Sequence, residues 1–282
     1  MSKVIISAES TCDLSPELVK KYNIPICPGT VIMGNEAFSD DIDIRPKDIF
    51  EYYDKTGNLA KTSAVNYQKY VNFFTPLVEG GNFVVHFSIS SEMSSMYNNA
   101  SLAAEDVGNV LVVDSRNLST AIGLMVLQAA ELAAAGESAE SIYEKAKNTI
   151  KKVDSSFVID TLTYLHKGGR CSAIAVLGAN VLKLKPCIEV IDGKMIVAKK
   201  YRGKTSDVFM EYIKNKLADL ESIDNSRCFV THTTDLGSDN AKAVCEYIKG
   251  LGYFNEVLET TAGCTISAHC GPGTLGIMFI KK

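Results

Sequence analysis

Short apolar runs alternate with longer amphipathic segments through the first half of the chain. The runs KVIIS, NFVVHFS and NVLVVD suit buried strands, and the segment after each one carries apolar residues at helical spacing. Residues typical of helix ends support these helices: Ser15 precedes Pro16, Asn66 opens another helical segment, and Gly136 follows a long apolar one. Such repeated strand–helix units predict a parallel sheet covered by helices.

The pattern changes near Asp154. Two alternating runs within CIEVIDGKMIVAKKYR are joined by Asp192-Gly193, a dipeptide that favours a tight β-hairpin turn. Two further helical segments, a strand RCFVTH and closing strands at NEVLETT and GIMFI follow. The sequence therefore predicts an α/β protein of two domains, with a parallel sheet in residues 1–154 and a mixed α/β arrangement in residues 155–282.

Composition narrows the classes of function. A length of 282 residues with 46% hydrophobic side chains suffices for two packed cores. The net charge of -4 and the dispersed lysines and arginines argue against a nucleic-acid surface. No apolar stretch approaches the roughly 18 residues of a membrane span, and the N-terminus has no cleavage-like site, so a cytoplasmic protein is expected. The eight cysteines form no CxxC pair and are expected to be thiols.

Two patterns near the C-terminus are similar to cofactor or metal motifs. The stretch from Gly271 to Gly276 is a formal GxGxxG match, but a dinucleotide site needs a following helix and only six residues remain. These glycines predict a tight loop entering the last strand. Cys264, His269 and Cys270 lack zinc-ligand spacing, and on an extended chain the adjacent His269 and Cys270 would point apart. We therefore predict no metal and no cofactor.

Three clusters of short hydroxyl side chains lie where a strand or loop precedes a helix. They are SAESTCDLS, KTSAVN with Thr62 and Ser63, and SISSEMSSMY with Ser94. Each serine or threonine can serve as a helix cap, or the clusters together can form an anion-receiving crevice at the ends of the parallel strands. Both interpretations stay open at this stage.

Other polar residues allow two further interpretations. Arg170 follows two glycines and Arg202 precedes one, which suits bidentate contact with a carboxylate or phosphate on a ligand or partner protein. Solvated surface charges are the simpler alternative. Ser94, His269 and Asp114 contain the groups of a hydrolase triad, but the chain has no GxSxG motif.

Seven blocks of the chain, in order, resemble those of the DegV family. ESTCDLS is similar to the family's D-S-x-x-D-L, TSAV to its Thr-Ser segment, SISSEMSSMYNNA to S-S-x-L-S-G-T-Y-x-x-A, and VVDSRNLSTAIG to its V-D-S segment. DTLTYLHKGGR, LKLKPCIEVIDGKM with KKYRGK, and SAHCGPGTLGI resemble the remaining blocks. The family includes the fatty-acid-binding subunits of bacterial fatty acid kinase.

The resemblance implies a two-domain fold that holds one long-chain fatty acid in an internal tunnel between the domains. Thr62, Ser94 and His269 are the residues that it places at the carboxyl group. The alternative is that His269 is a core residue whose ring nitrogens form hydrogen bonds within the protein and contact no ligand. The other ligand-binding residues expected from the matched blocks are Ser63, Ser115, Ser119 and Gly271.

A non-catalytic carrier is the function that the resemblance implies. It would present the bound acid to a separate, dihydroxyacetone-kinase-like subunit that makes acyl phosphate for phospholipid synthesis, since this chain has no Walker A or kinase motif. Arg170 and Arg202 are expected to contact phosphate or that partner. Nucleic acid is not an expected partner, and transient contact with a membrane stays open. The alternatives are a hydrolase using Ser94 and His269, and a carrier of another lipid.

Three departures from the family pattern lie within these blocks. Glu9 stands where the family usually has Asp, Ser95-Met96 replaces Gly-Thr, and THTTD around His232 replaces His-Gly-Asp. These changes are expected to reshape the pocket, so a preference for tail length, unsaturation or branching does not follow from the resemblance.

Overall fold

This computed structural model describes residues 3–170, 184–233 and 235–282. Its strands are β1 (Val4–Glu9), β2 (Ile26–Cys27), β3 (Thr30–Met33), β4 (Glu36–Ser39), β5 (Lys61–Ser63), β6 (Phe83–Ser88), β7 (Val110–Asp114), β8 (Val153–Val158), β9 (Leu184–Ile191), β10 (Lys194–Arg202), β11 (Ile223–His232), β12 (Glu256–Thr261) and β13 (Leu275–Lys281). Its α-helices are α1 (Pro16–Tyr22), α2 (Pro46–Thr56), α3 (Tyr67–Val78), α4 (Met96–Val107), α5 (Thr120–Ala134), α6 (Ala139–Ile150), α7 (Thr163–Gly168), α8 (Thr205–Lys216), α9 (Asp235–Gly250) and α10 (Cys264–Cys270).

The N-terminal half contains the predicted parallel sheet. Strands β2, β1, β6 and β7 run parallel in that order, and helices α3 to α6 pack against them. Two predicted helix starts are also confirmed. The Ser15 side chain accepts the amide hydrogen of Leu18, and the Asn66 side chain accepts that of Lys69.

Helix α5 connects the parallel sheet to the second sheet. Its residues from Thr120 to Leu127 are all buried, because the helix contacts β1 and also β11 and β13. A helix that is apolar all round belongs in the interior of a protein. The long apolar segment of the sequence therefore forms part of the core between the two sheets.

Strands of the C-terminal half form a mixed sheet, as predicted. Its order is β10-β9-β8-β13-β11-β12, with β11 and β12 parallel and the other neighbours antiparallel. Asp192 and Gly193 form the predicted hairpin turn with φ of 48° and 81°, a backbone conformation that such turn residues adopt readily. Helices α8 and α9 contribute to its core. The domain boundary at residue 154 stays a prediction.

The sequence pattern does not predict a third, small sheet. Strands β4, β3 and β5 form it in antiparallel pairs. They are only three or four residues long, too short for a clear alternation of polar and apolar positions. Val31 and Ala60 from this region pack in one cluster with Cys264 and Ala268 of α10. The small sheet therefore supports the helix that carries His269.

A buried carboxylate closes the end of β1. Glu9 accepts hydrogen bonds from the Ser88 hydroxyl at 2.6 Å, from the Ile89 amide at 2.9 Å and from the Tyr70 hydroxyl. Burial and then the Glu9 charge raise the pKa of Tyr70 well above its usual range, so its hydroxyl remains a donor. These bonds compensate the buried charge and link β1 to β6 and α3.

The described cysteines are unpaired, as expected, and all of them are buried. Cys171 lies outside the described residues. Within the described ranges, no helix combines the length and the apolar character needed to cross a membrane.

Candidate functional site

Thr62, Ser94 and His269, which are far apart in the sequence, line one cavity of about 400 Å³. Typical small-molecule sites have volumes of roughly 300–1,000 Å³. Thr62 lies on β5, Ser94 lies just before α4, and His269 lies in the last turn of α10. The three residues expected at a ligand's carboxyl group thus share a common space.

The rest of the cavity wall is mostly apolar. Its side chains come from both halves of the chain, and three of them are methionines, whose unbranched thioether groups fit irregular shapes. The apolar lining consists of Ala64, Ile89, Met93, Met96, Leu118, Leu165, Met195, Ile266 and Cys270. Apolar ligand atoms that enter this space leave water, which stabilises the bound state.

His269 and Thr62 form the central polar contact of the cavity. Thr62 Oγ1 lies 2.8 Å from His269 Nε2. Burial, and secondarily the Arg170 guanidinium, lowers the pKa of His269 to about 4, so the imidazole is neutral at pH 7. A neutral ring can accept the Thr62 hydrogen. In the other tautomer it donates to Thr62 and leaves that hydroxyl hydrogen free for a ligand oxygen.

The other ring nitrogen of His269 lies against the end of α7. A Cβ atom at position 168 would lie 2.5 Å from Nδ1, so Gly168 is required for this close approach. Nδ1 has no hydrogen-bond partner among the described residues. The ring is therefore held by packing on one edge and by Thr62 on the other.

Ser94 directly precedes Ser95, the N-cap residue of α4, and its side chain borders the cavity. Its Oγ accepts the amide hydrogen of Met96 at 3.3 Å, a local turn contact at the start of the helix. That contact uses an oxygen lone pair, so the hydroxyl hydrogen stays available to a ligand. Ser95 and Met96 at the start of α4 also line the cavity, and the N-terminus of a helix favours negative charge.

The remaining predicted residues divide into two groups. Ser63 and Arg170 line the cavity with Thr62. Arg170 is exposed and donates a hydrogen bond to the Gly168 carbonyl at 2.7 Å. The residues that do not line the cavity are Ser115, Ser119, Gly271 and Arg202.

These four residues lie elsewhere in the fold. Ser115 Oγ accepts the Asn117 amide hydrogen at 3.1 Å within a turn. The Gly271 carbonyl accepts the Thr233 hydroxyl hydrogen at 2.6 Å, and Arg202 is exposed at the end of β10. The family blocks therefore contain residues that shape the backbone as well as residues that line the cavity.

Two aspartates from distant parts of the chain hold the N-terminus of α10. Gly263, which precedes the helix, has no side chain that could cap it. Instead, Asp13 Oδ1 accepts the Gly263 amide hydrogen at 2.9 Å. Asp40 accepts the amide hydrogens of Cys264 at 2.7 Å and Thr265 at 3.1 Å. Both carboxyl groups satisfy otherwise free donors at the start of the helix. Burial raises the pKa of Asp13 well above its usual range.

Serine hydroxyls orient both carboxylates. Ser119 donates to Asp13 at 2.5 Å, and Ser10 donates to Asp40 at 2.8 Å. Asp13 and Ser10 belong to the ESTCDLS block. A carboxylate that caps a helix 224 or 250 residues away leaves no local sequence pattern, which is why neither aspartate is predicted as a site residue.

The segment around His269 is helical and not extended as expected. On α10, Cys264 lies near Asp40 and Asp41, the one group of described residues whose potential metal-ligand atoms lie within 4.8 Å of one another. Burial raises the pKa of Cys264 far above its usual range, so its thiol is protonated at neutral pH when no ion is bound. After α10 the glycines form the predicted loop, and β13 follows them.

The contacts of Asp114 and His269 differ from those of a hydrolase triad. Asp114 accepts a hydrogen bond from the Ser91 hydroxyl at 2.6 Å. His269 bonds to Thr62, and within the described part of the chain no hydrogen bond joins its ring to Ser94 or to an acid. A general base must reach its nucleophile, so this geometry gives the hydrolase alternative no support.

Among the described residues of the three departures from the family pattern, only Ser95 and Met96 reach the cavity. Ser95 and Met96 line it directly and so contribute to its shape. Glu9 lies in the buried network at the end of β1 and does not line the cavity. His232 Nε2 lies 3.3 Å from Glu259, and Thr234 is outside the described residues.

Replacing Asp40 with asparagine should loosen α10. The amide keeps one acceptor oxygen but presents an NH₂ group to donors that the second oxygen had satisfied. We expect Asp40→Asn to lower the free energy of unfolding by about 1–3 kcal/mol, measured by urea denaturation. Asp219→Asn, at an exposed position, is the control and should change it by less than about 0.5 kcal/mol. An unchanged stability in Asp40→Asn would contradict the capping role.

The charge of Arg170 should be visible in the titration of His269. We expect the His269 ring protons to titrate with a pKa of about 4 in NMR spectra, with the signal assigned by its loss in His269→Gln. Arg170→Gln should raise this pKa, because the protonated ring then meets less repulsion. Arg202→Gln changes an exposed arginine outside the cavity and should leave it unchanged. Equal His269 pKa values in Arg170→Gln and in the wild type would show that the Arg170 charge does not act on the ring.

Comparisons with known proteins agree with this architecture. A family model described as "Uncharacterised protein, DegV family" matches residues 3–282. A DegV domain-containing protein of Clostridium acetobutylicum is 30% identical over 286 residues, with 100% of both chains covered. Another, from Clostridium perfringens, is 27% identical over 285 residues, again with 100% of both chains covered.

Two solved structures share this fold over the full chain. A DegV family protein from Thermus thermophilus, described by its fatty acid binding, has a TM-score of 0.92 at 26% identity and covers 99% of this chain and 100% of its own. DegV from Bacillus subtilis, described as a fatty acid binding protein, has a TM-score of 0.88 at 26% identity with 100% of both chains covered. The family match over nearly the whole length and the 30% identical relative show that this protein belongs to the DegV family.

Proposed function

We propose that this protein binds a long-chain fatty acid in the cavity and presents its carboxyl group to a separate ATP-dependent kinase subunit. The observation that carries the proposal is the meeting of Thr62, Ser94 and His269 in one otherwise mostly apolar cavity. The fatty acid binding described for the Thermus and Bacillus relatives supports the choice of ligand. In this proposal the chain is a carrier and not itself a catalyst.

The tail of the acid supplies most of the binding free energy. A saturated tail with about 14 methylene groups gains roughly 11 kcal/mol if each buried group contributes ~0.8 kcal/mol. Association and ordering of the tail offset part of this gain. Apolar contact therefore accounts for affinity, but it does not fix which end of the ligand faces the kinase.

The polar residues set the orientation of the ligand. A carboxylate that leaves water must receive hydrogen bonds, and Thr62 and Ser94 each carry a hydroxyl hydrogen that can be donated to it. Each bond to a charged acceptor contributes roughly 1.5–3 kcal/mol. His269 orients the Thr62 hydroxyl while remaining neutral, so the acid is held without a buried ion pair.

Phosphate transfer requires a partner in this proposal. The chain has no Walker A or kinase motif, and the family resemblance implies a dihydroxyacetone-kinase-like subunit. Arg170 at the cavity and Arg202 on β10 are exposed and would contact phosphate or that subunit. The acyl phosphate would then enter phospholipid synthesis. We place the protein in the cytoplasm, a compartment that keeps unpaired cysteines as thiols.

Fatty acid binding is tested by extracting the purified protein and identifying the released lipid by mass spectrometry. We expect about one long-chain fatty acid per chain, since one cavity encloses one tail.

Thr62→Val and Ser94→Ala each remove one hydroxyl donor and should weaken palmitate binding by about 10- to 150-fold, as 1.5–3 kcal/mol implies.

Ser101→Ala is the matched control for these variants. Ser101 lies on α4, outside the cavity, and its replacement should change palmitate affinity by less than about twofold. A protein without bound lipid and without affinity for palmitate would contradict the proposal. Turnover of activated esters by the pure protein, lost in Ser94→Ala, would favour a hydrolase in its place.

Arg170 should separate binding from phosphate transfer. In an assay with the kinase subunit and ATP, we expect Arg170→Ala to lower acyl phosphate formation at least about tenfold, because a cation near the transferred group is lost. Palmitate affinity should stay within about twofold of the wild type, since hydroxyls make the contacts to the acid. A large loss of palmitate affinity in Arg170→Ala would show that the arginine binds the carboxylate itself.

A further inference from the structure

A second cleft adjoins the polar part of the cavity. Its volume is about 820 Å³, and it shares Thr62, Arg170 and His269 with the cavity. Tyr52 of α2, the loop 57–60 and the end of α7 form much of the remaining wall. A head group held by Thr62 and His269 therefore lies between an apolar space and this cleft.

The cleft is positively charged. Lys61, Lys167 and Arg170 line it, all three are exposed, and none of the described residues that line it is Asp or Glu. The side chains of Lys61 and Lys167 form no hydrogen bond or ion pair with another described residue. In a chain whose net charge is -4, three cations in a cleft with no acidic residue among its described lining indicate a site for an anion.

The negative charge of the ligand increases during the proposed reaction. A carboxylate oxygen attacks the terminal phosphorus of a nucleoside triphosphate and forms a C–O–P bond. The P–O bond to the leaving nucleoside diphosphate breaks, and its electron pair stays on the diphosphate. The ligand then carries a phosphate with a charge of about -1.5 to -2 in place of one carboxylate charge. Thr62, Ser94 and neutral His269 cannot balance that change, so nearby cations are needed.

We propose that Lys61 and Lys167, together with Arg170, bind the phosphate group of the acyl phosphate in this cleft. The inference rests on the proposed function and adds two binding residues to it. Lys61 directly precedes Thr62, and Lys167 directly precedes Gly168, which touches the His269 ring. Each lysine is thus next in sequence to a residue that contacts the His269 ring, and both lysines line the cleft beside that ring. Ammonium groups bind phosphate oxygens as point charges.

A stable analogue separates phosphate binding from tail binding. In the β-keto phosphonate analogue of palmitoyl phosphate, a CH₂ group replaces the oxygen between carbonyl carbon and phosphorus. We expect Lys61→Gln and Lys167→Gln each to weaken binding of this compound by about three- to tenfold in calorimetric titrations. Palmitate affinity should change by less than about twofold, and the loss for the phosphonate should shrink as salt is raised.

Lys151→Gln, at an exposed position directly after α6, is the matched control and should leave both affinities unchanged. Wild-type affinity for the phosphonate in both cleft variants, with palmitate still bound, overturns the phosphate site and leaves fatty acid binding intact. Equal losses for palmitate and phosphonate also overturn it, because the lysines would then act on the acid itself. If the wild type fails to bind palmitate, the proposed function and this inference fall together.

Discussion

The capping of α10 by two distant carboxylates is the contact on which the geometry of the site depends. A helix of seven residues has little stability of its own, since isolated helices shorter than about 12–15 residues are marginal in water. Asp13 and Asp40 satisfy three amide groups at its start, and Val31 and Ala60 pack against its side. A histidine near the C-terminus of the chain is therefore positioned by residues from its first quarter.

Local signals in the sequence report most of the fold but only part of the site. Strand runs and the Asp192-Gly193 turn are local features, so both large sheets could be predicted from them. Only the family blocks relate Thr62 to His269, because no spacing pattern connects positions 207 residues apart. No local sequence pattern predicts the capping role of Asp40, since that role depends on its tertiary contact with Cys264 and Thr265. Ser119 resembles a ligand-binding serine in sequence, yet it orients Asp13.

On the proposed function, the site divides three physical tasks among three regions. The apolar wall removes the tail from water, and neutral polar groups orient the acid without the desolvation cost of a buried ion pair. The cations lie in the neighbouring cleft, where they stay hydrated until a phosphate arrives. A positive field in the cleft is compatible with a neutral His269, because burial and the nearby Arg170 charge both lower the pKa of the ring.

The methionines of the cavity wall can be oxidised, which would change the polarity of that wall. Met93, Met96 and Met195 bring three thioether sulfurs to the space that would enclose the tail. Oxidants convert a thioether to a sulfoxide, which is polar and chiral, and sulfoxide reductases reverse the change. A sulfoxide in this wall would favour water over a hydrocarbon chain. On the proposed function, oxidation of these side chains would weaken binding of the fatty acid tail until they are repaired.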